Sequence, residues 1–162
     1  MKTHDHFPMF IDAREKSVLI IGGGKIAERR IQTLSKFSFH ITVLSKQLTD
    51  EIQRLCNDRQ ITYVPEAFDP EDPQVCAELL GNSFMVLACT DDRETNRRIG
   101  SLCRERGIQV NVCDAQEEST FWFPAVAVND ELVMGLTGDG TSHETVRKAA
   151  AKLRRTIEEK HY

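Results

Sequence analysis

A chain of 162 residues that is 40% hydrophobic and 28% charged holds enough apolar matter for one packed domain with a small appendage. No apolar run approaches the ~18 residues of a membrane span, and the opening Met1-Lys-Thr-His-Asp-His6 lacks the apolar centre of a signal peptide, so the cytoplasm is the expected location. A net charge of −4 argues against nucleic acid as the main partner.

The first predicted strand, 17–21, is a short β-branched run of the kind buried on both faces of a parallel sheet, and it runs into Gly22-Gly-Gly24. Gly22, Gly24 and Ala27 fit G-x-G-x-x-G/A: a tight turn, a backbone that lets a pyrophosphate approach, and a helix packed close to the sheet. A helix is expected over about 25–36, its free N–H groups facing the phosphates. Glycines also punctuate ordinary strand-to-helix turns; here the strand before and the helix after favour nucleotide binding. Residues 40–44 read as a second strand, and Thr49 opens a helix that ends near Asn57, with Asp50 and Glu51 suiting the dipole of its first turn.

A third strand is expected over 61–64, stopped by Pro65, then a loop through Asp69-Pro-Glu-Asp-Pro73 into a helix over 74–80. The apolar run 84–88 reads as a central fourth strand. Asp91 and Glu94 have capping-box spacing for a helix reaching about Arg106 and ended by Gly107, and 108–112 reads as a fifth strand. Alternating strands and helices imply α/β architecture: a doubly wound, Rossmann-like parallel sheet over residues 1–115. Residues 116–162 are read as an appendage, with a hairpin of strands 121–128 and 131–137 turning at Asn129-Asp130, then a C-terminal helix over 142–160. Thr141 and Glu144 have capping-box spacing there, with Val146, Ala149, Ala150, Leu153 and Ile157 as the apolar stripe. The aromatic hairpin is suited to subunit pairing or to docking on its own domain. Arg147, Lys148, Lys152, Arg154 and Arg155 form a solvated face or a site for a polyanion.

In such a sheet ligands lie beyond the carboxyl ends of the strands, where Gly22 to Gly24, Ser45-Lys46, Thr90-Asp91 and Cys113-Asp114 should converge. The acidic residue that holds a ribose in the usual fingerprint is replaced by Leu44-Ser45-Lys46. Ser45 suits a ribose hydroxyl and Lys46 a phosphate, leaving NAD and NADP both open. Asp114 follows an apolar strand; partial burial would fit it for proton transfer, while a turn or cap aspartate is the plain alternative. Asp91 and Asp92 read as cap and loop residues. The five cysteines, Cys56, Cys76, Cys89, Cys103 and Cys113, form no C-x-x-C pair and read as small hydrophobes. Only His4-x-His6 has chelating proximity, at a chain end, so no metal is expected.

Four ordered stretches carry a resemblance: Gly22-Gly-Gly-Lys-Ile-Ala-Glu-Arg-Arg30, Ala88-Cys-Thr-Asp-Asp-Arg-Glu-Thr-Asn96, Asn111-Val-Cys-Asp114 and Phe123-Pro-Ala125. In order and spacing they resemble the precorrin-2 dehydrogenases of siroheme synthesis, over nearly the whole chain. The resemblance implies NAD-dependent oxidation of precorrin-2 to sirohydrochlorin and a homodimer built through the region after the fifth strand. It also implies a catalytic Asp114 and cofactor contacts at Lys25, Ile26, Lys46 and Gln47, beside Gly22, Gly24, Ser45 and Thr90. A tetrapyrrole substrate carries carboxylates, for which Arg29, Arg30, Arg147, Lys148, Arg154 and Arg155 are candidate partners. Two departures are Thr137-Gly-Asp-Gly-Thr-Ser-His143, where the family has Ser/Thr-Gly-Gly-x-Ser-Pro, and a stop at Tyr162, which implies a more open pocket. Added ferrochelation, through Asp114 or His143, and a non-catalytic NAD(H)-sensing module are the competing readings.

Overall fold

A computed structural model describes residues 4–72, 75–140 and 142–159. Asp12–Phe121 forms one compact unit, and the described parts of Met1–Ile11 and Trp122–Tyr162 form a second.

The first unit is a five-stranded sheet with the order β3-β2-β1-β4-β5 and every pairing parallel. Its strands are β1 (Ser17–Ile21), β2 (His40–Leu44), β3 (Thr62–Val64), β4 (Met85–Ala88) and β5 (Gln109–Val112). Helices α1 (Lys25–Leu34), α2 (Asp50–Asn57) and α3 (Arg93–Glu105) connect them. Because β2 and β3 lie on one side of β1 and β4 and β5 on the other, right-handed crossovers put the two sets of connections on opposite faces. The apolar strands are what such a double covering requires. Val18, Leu19, Ile20 and Ile21 in β1 and Val86, Leu87 and Ala88 in β4 are each at most 1% exposed. At about 1.5–3 kcal/mol for each fully buried aliphatic side chain, these two strands anchor the sheet. Ile99 and Cys103 of α3 pack with Leu19, Ile21, Val86 and Val110 in one cluster.

Register places Ile21 beside Leu44 and Ala88, and Ala88 beside Val112. The four strands therefore end level, and the residues after them emerge along one edge. That edge carries the reversal of strand order between β1 and β4, the place where an open sheet leaves a crevice.

Several local expectations need correction. Gln74 lies outside the described residues, and Val75–Leu80 is a wide i→i+5 turn instead of an α-helix; six residues offer few bonds to hold α geometry. The cap of α3 is Asp92, not Asp91: its Oδ2 accepts from Thr95 N–H at 2.8 Å. Thr90 Oγ1 accepts from Asp92 N–H at 3.3 Å, and this closed turn carries the chain past Asp91 before the helix begins.

In the second unit β6 (Ala125–Val128) and β7 (Val133–Leu136) pair antiparallel, and Val128 opposite Val133 leaves a four-residue loop, not a two-residue turn. The reason is Asn129, whose Oδ1 accepts from Glu131 N–H at 3.0 Å and Leu132 N–H at 2.8 Å. Residues 121–124 precede the strand, and Trp122 stacks on His6 with ring centroids 3.5 Å apart. Helix α4 (His143–Glu159) begins after Ser142, whose Oγ accepts from Thr145 N–H at 3.2 Å; the expected cap Thr141 and end Lys160 lie outside the described residues. Ala150 and Ile157 are buried while Ala149 is exposed, so the apolar stripe is narrower than expected. Arg154 Nε donates to the Val126 carbonyl at 3.1 Å, and Asn129 Nδ2 to that of Ile157 at 2.9 Å, tying α4 to the hairpin. Among the described residues no helix is long and apolar enough to cross a membrane.

Candidate functional site

The edge is built from four turns. Gly22 leaves β1 with φ +114°, and its N–H donates to the Leu44 carbonyl at 2.9 Å. A Cβ at this position would strike the Cys89 carbonyl and lie 2.9 Å from Thr90 N, so the end of β4 is packed against bare backbone. Gly23 is equally constrained: its carbonyl accepts from Thr49 N–H at 3.0 Å, and a side chain there would meet the Gln47 carbonyl and Ser45 Oγ. Above Gly24 the space is open, with no atom within 4 Å of a Cβ position.

Gly24 is the N-cap of α1 and offers no side chain to its first N–H groups. Helix geometry leaves those groups without intrahelical acceptors, and together with the dipole they make a cradle for an anion. Lys25 and Ile26 flank it and are exposed, while Ala27 is fully buried against the sheet. Glu28, in the same first turn, is hydrogen-bonded by the Thr49 hydroxyl and by Lys25 Nζ at 3.0 Å; these two partners hold its carboxyl below the usual range. A carboxylate depressed in the folded state stabilises it above the unfolded value of about 4.3 and loses that contribution as pH falls through the folded value. Glu28→Gln is therefore expected to lower the melting temperature at pH 7, and the gap from the natural chain should close as pH falls from 6 to 3, read by circular dichroism.

After β2, Ser45 Oγ donates to the Gln47 carbonyl at 2.8 Å and accepts from Gln47 N–H at 3.4 Å. The hydroxyl expected to serve a ribose thus closes its own turn. Lys46 and Gln47 are exposed at its tip.

Asn96 of α3 links the remaining two turns. It is fully buried, and its Oδ1 accepts from Thr90 N–H at 3.0 Å and from Thr90 Oγ1 at 2.7 Å. Its Nδ2 donates to the Thr90 carbonyl and to Asp114 Oδ2, both at 3.0 Å. Both donors and both lone pairs of the amide are used, so Asp114 and Thr90 are held in a fixed relation. The Asp114 side chain is 35% exposed, so its carboxylate is partly buried even though β5 ends at Val112 and the chain has already left the sheet. Its Oδ1 lies 3.9 Å from the Arg93 guanidinium, which also pairs with Glu118.

The structure thus brings Gly22, Gly24, Lys25, Ile26, the turn at Ser45, Lys46 and Gln47, Thr90 and Asp114 to one edge, with Ser45 engaged in its own turn. Sequence reasoning did not give a role to Asn96, Arg93 or Gly23. A signal for Asn96 was present: it shares the i, i+3, i+7 spacing of buried Ile99 and Cys103, and a polar side chain in an apolar stripe must find partners. Among the described residues no group of three or more His, Cys, Asp or Glu is placed to hold a metal. Burial pushes the Cys103 thiol up to about 12, as for an inert hydrophobe.

The model of the family described as "Putative NAD(P)-binding" matches residues 9–125. The chain belongs to that family. It is 38% identical over 153 residues to "Probable multifunctional siroheme biosynthesis protein HemA" of Ruminiclostridium josui, covering 94% of this chain and 28% of that protein. It is 32% identical over 149 residues to "Siroheme synthase" of Zymomonas mobilis, covering 92% of this chain and 30% of the relative. The NAD(P)-binding family chain therefore spans less than a third of the length of either relative. Among solved structures, "SirC, precorrin-2 dehydrogenase" matches with a TM-score of 0.72 at 23% identity, covering 93% of this chain and 71% of that one, and shows the same fold.

Proposed function

We propose that the crevice holds NAD and that the chain oxidises precorrin-2 to sirohydrochlorin within siroheme biosynthesis. The observation that carries this reading is the Asn96 bridge, which fixes a partly exposed carboxylate beside the turn that abuts the glycine loop. The relatives named for siroheme formation supply the substrate class. NAD⁺, when bound, supplies the hydride acceptor. The open space at Gly24 and the first N–H groups of α1 would take its pyrophosphate, with Lys25, Ile26, Lys46, Gln47 and Thr90 around it. Asp114 would take the proton that accompanies hydride loss, with Asn96 and Arg93 keeping its oxygens aimed. Arg29, exposed on α1, would pair with a substrate carboxylate.

Pairing of two copies through the second unit belongs to the same proposal; Phe7, Met9 and Phe10 there are 89%, 75% and 73% exposed. Light scattering on the purified chain reads the mass directly.

Asp114→Asn is expected to lower kcat about 10²-fold or more while the NADH dissociation constant stays within about twofold. Sirohydrochlorin absorbance and NADH fluorescence titration check the two halves. Folded, NADH-binding protein that forms no sirohydrochlorin from precorrin-2 and NAD⁺ would overturn the enzymatic reading in favour of a sensing module.

A further inference from the structure

The parallel ladder of β4 and β5 ends at the pair Ala88 and Val112, and its closing bond runs from Cys113 N–H to the Ala88 carbonyl at 3.0 Å. Cys89 and Cys113 each follow one member of that pair, as the first residues beyond the ends of neighbouring strands. Both follow residues of the α3-side cluster, Ala88 and Val112. Neighbouring strands run about 4.8 Å apart, within the Cα separation of about 4.4–6.8 Å that a disulfide spans. The two thiols are close enough for each to shift the other's ionisation.

Their surroundings differ. Cys89 is 5% exposed, whereas Cys113 is half-buried, is contacted by the Arg30 guanidinium of α1, and has its Sγ 3.7 Å from Asn111 Oδ1. The neighbouring Cys89 and the charge of Arg30 outweigh burial and hold the Cys113 thiol below its ordinary value; Cys89 is pushed well above its own by Cys113 and by burial. Asp114 opposes ionisation of both. This contrast suits the more exposed Cys113 to attack and the buried Cys89 to resolve. Cys56 and Cys103, both raised by burial, do not compete.

We propose that Cys89 and Cys113 form a redox-active dithiol that a hydroperoxide converts to an intramolecular disulfide. The Cys113 thiolate attacks a peroxide oxygen; the O–O bond breaks, leaving a sulfenic acid on Cys113 and hydroxide, which takes up the released thiol proton to become water. The Cys89 sulfur then displaces the sulfenic oxygen, which leaves as water with the Cys89 proton while the S–S bond forms. Two thiols lose two electrons in all, and one hydrogen peroxide becomes two waters.

The test uses the full chain without nucleotide, so its outcome is independent of the proposed dehydrogenase activity. Reduced protein is treated with hydrogen peroxide, quenched, unfolded, alkylated and mapped by mass spectrometry. Two alkylation sites should be lost per chain, with the peptides of Cys89 and Cys113 joined, and dithiothreitol should restore both. Cys89→Ser should stop at a sulfenic acid on Cys113, trapped by dimedone, while Cys113→Ser should leave Cys89 alkylatable. Retention of both thiols in the peroxide-treated natural chain, or a bridge to any other cysteine, overturns the proposal. A dimedone adduct on Cys89 in place of Cys113 overturns the assignment of roles.

Discussion

Gly22→Ala is expected to destabilise the chain by about 2–5 kcal/mol and to abolish measurable NADH binding. Two penalties combine. A side chain at positive φ costs about 1–2 kcal/mol, and a methyl forced into the Cys89 carbonyl adds overpacking of about 1–3 kcal/mol. Relief would require β1 and β4 to separate at the edge where the glycine loop is shaped. For a chain of this size the melting temperature should fall by roughly 4–20 °C. Gly24→Ala is the informative companion, because nothing occupies the space above it. Its stability should stay within about 1 kcal/mol of the natural chain, while NADH affinity drops tenfold or more, since the methyl fills the space proposed for the pyrophosphate. Denaturant unfolding and NADH titration on both variants separate the turn's shape from its openness; equal NADH affinity in Gly24→Ala would count against the proposed pose.

Asn96→Leu should have a comparable effect by another route. The substitution nearly preserves volume but removes four hydrogen bonds, leaving the Thr90 N–H and carbonyl without their side-chain partner. At about 1–3 kcal/mol for each stranded buried group, the loss is about 2–5 kcal/mol, offset in part by water entering at half-buried Thr90. The same change frees Asp114 from the bond that aims it. Turnover per folded molecule should therefore fall at least tenfold, with a smaller change in NADH affinity, because Asn96 touches the acid and not the glycine loop. A loss of stability with kcat unchanged would show that Asn96 holds the fold alone.

Much of the first unit was legible in the residues. β1 and β2 appear at their expected limits, since an apolar, β-branched run bounded by Gly22 or followed by a polar turn has little else to form. Thr49 caps α2 as its chemistry requires, accepting from Ile52 N–H at 3.4 Å. Expectation failed where a side chain chose between adjacent backbone partners. Thr90 moved the α3 cap from Asp91 to Asp92, and Asn129 widened the hairpin loop; in each case side-chain hydrogen bonds to nearby N–H groups decided the register, and either spacing satisfies the composition. Ser45 spends its hydroxyl on the Gln47 carbonyl, a competition between local and ligand partners that sequence pattern does not resolve.

The order and polarity of the residues determined by themselves that this NAD(P)-binding family chain would build a parallel sheet with a glycine turn after its first strand, because burial on two faces and the freedom of glycine are properties of the residues alone. The tertiary structure decided which distant groups meet. Asn96 reaches Asp114 across 18 positions, the Cys89 carbonyl presses on Gly22, and two thiols that follow separate strands come close enough to shift each other's ionisation. Each of these follows from strand order and register, which are set by how the whole sheet packs and are written in no single stretch of sequence.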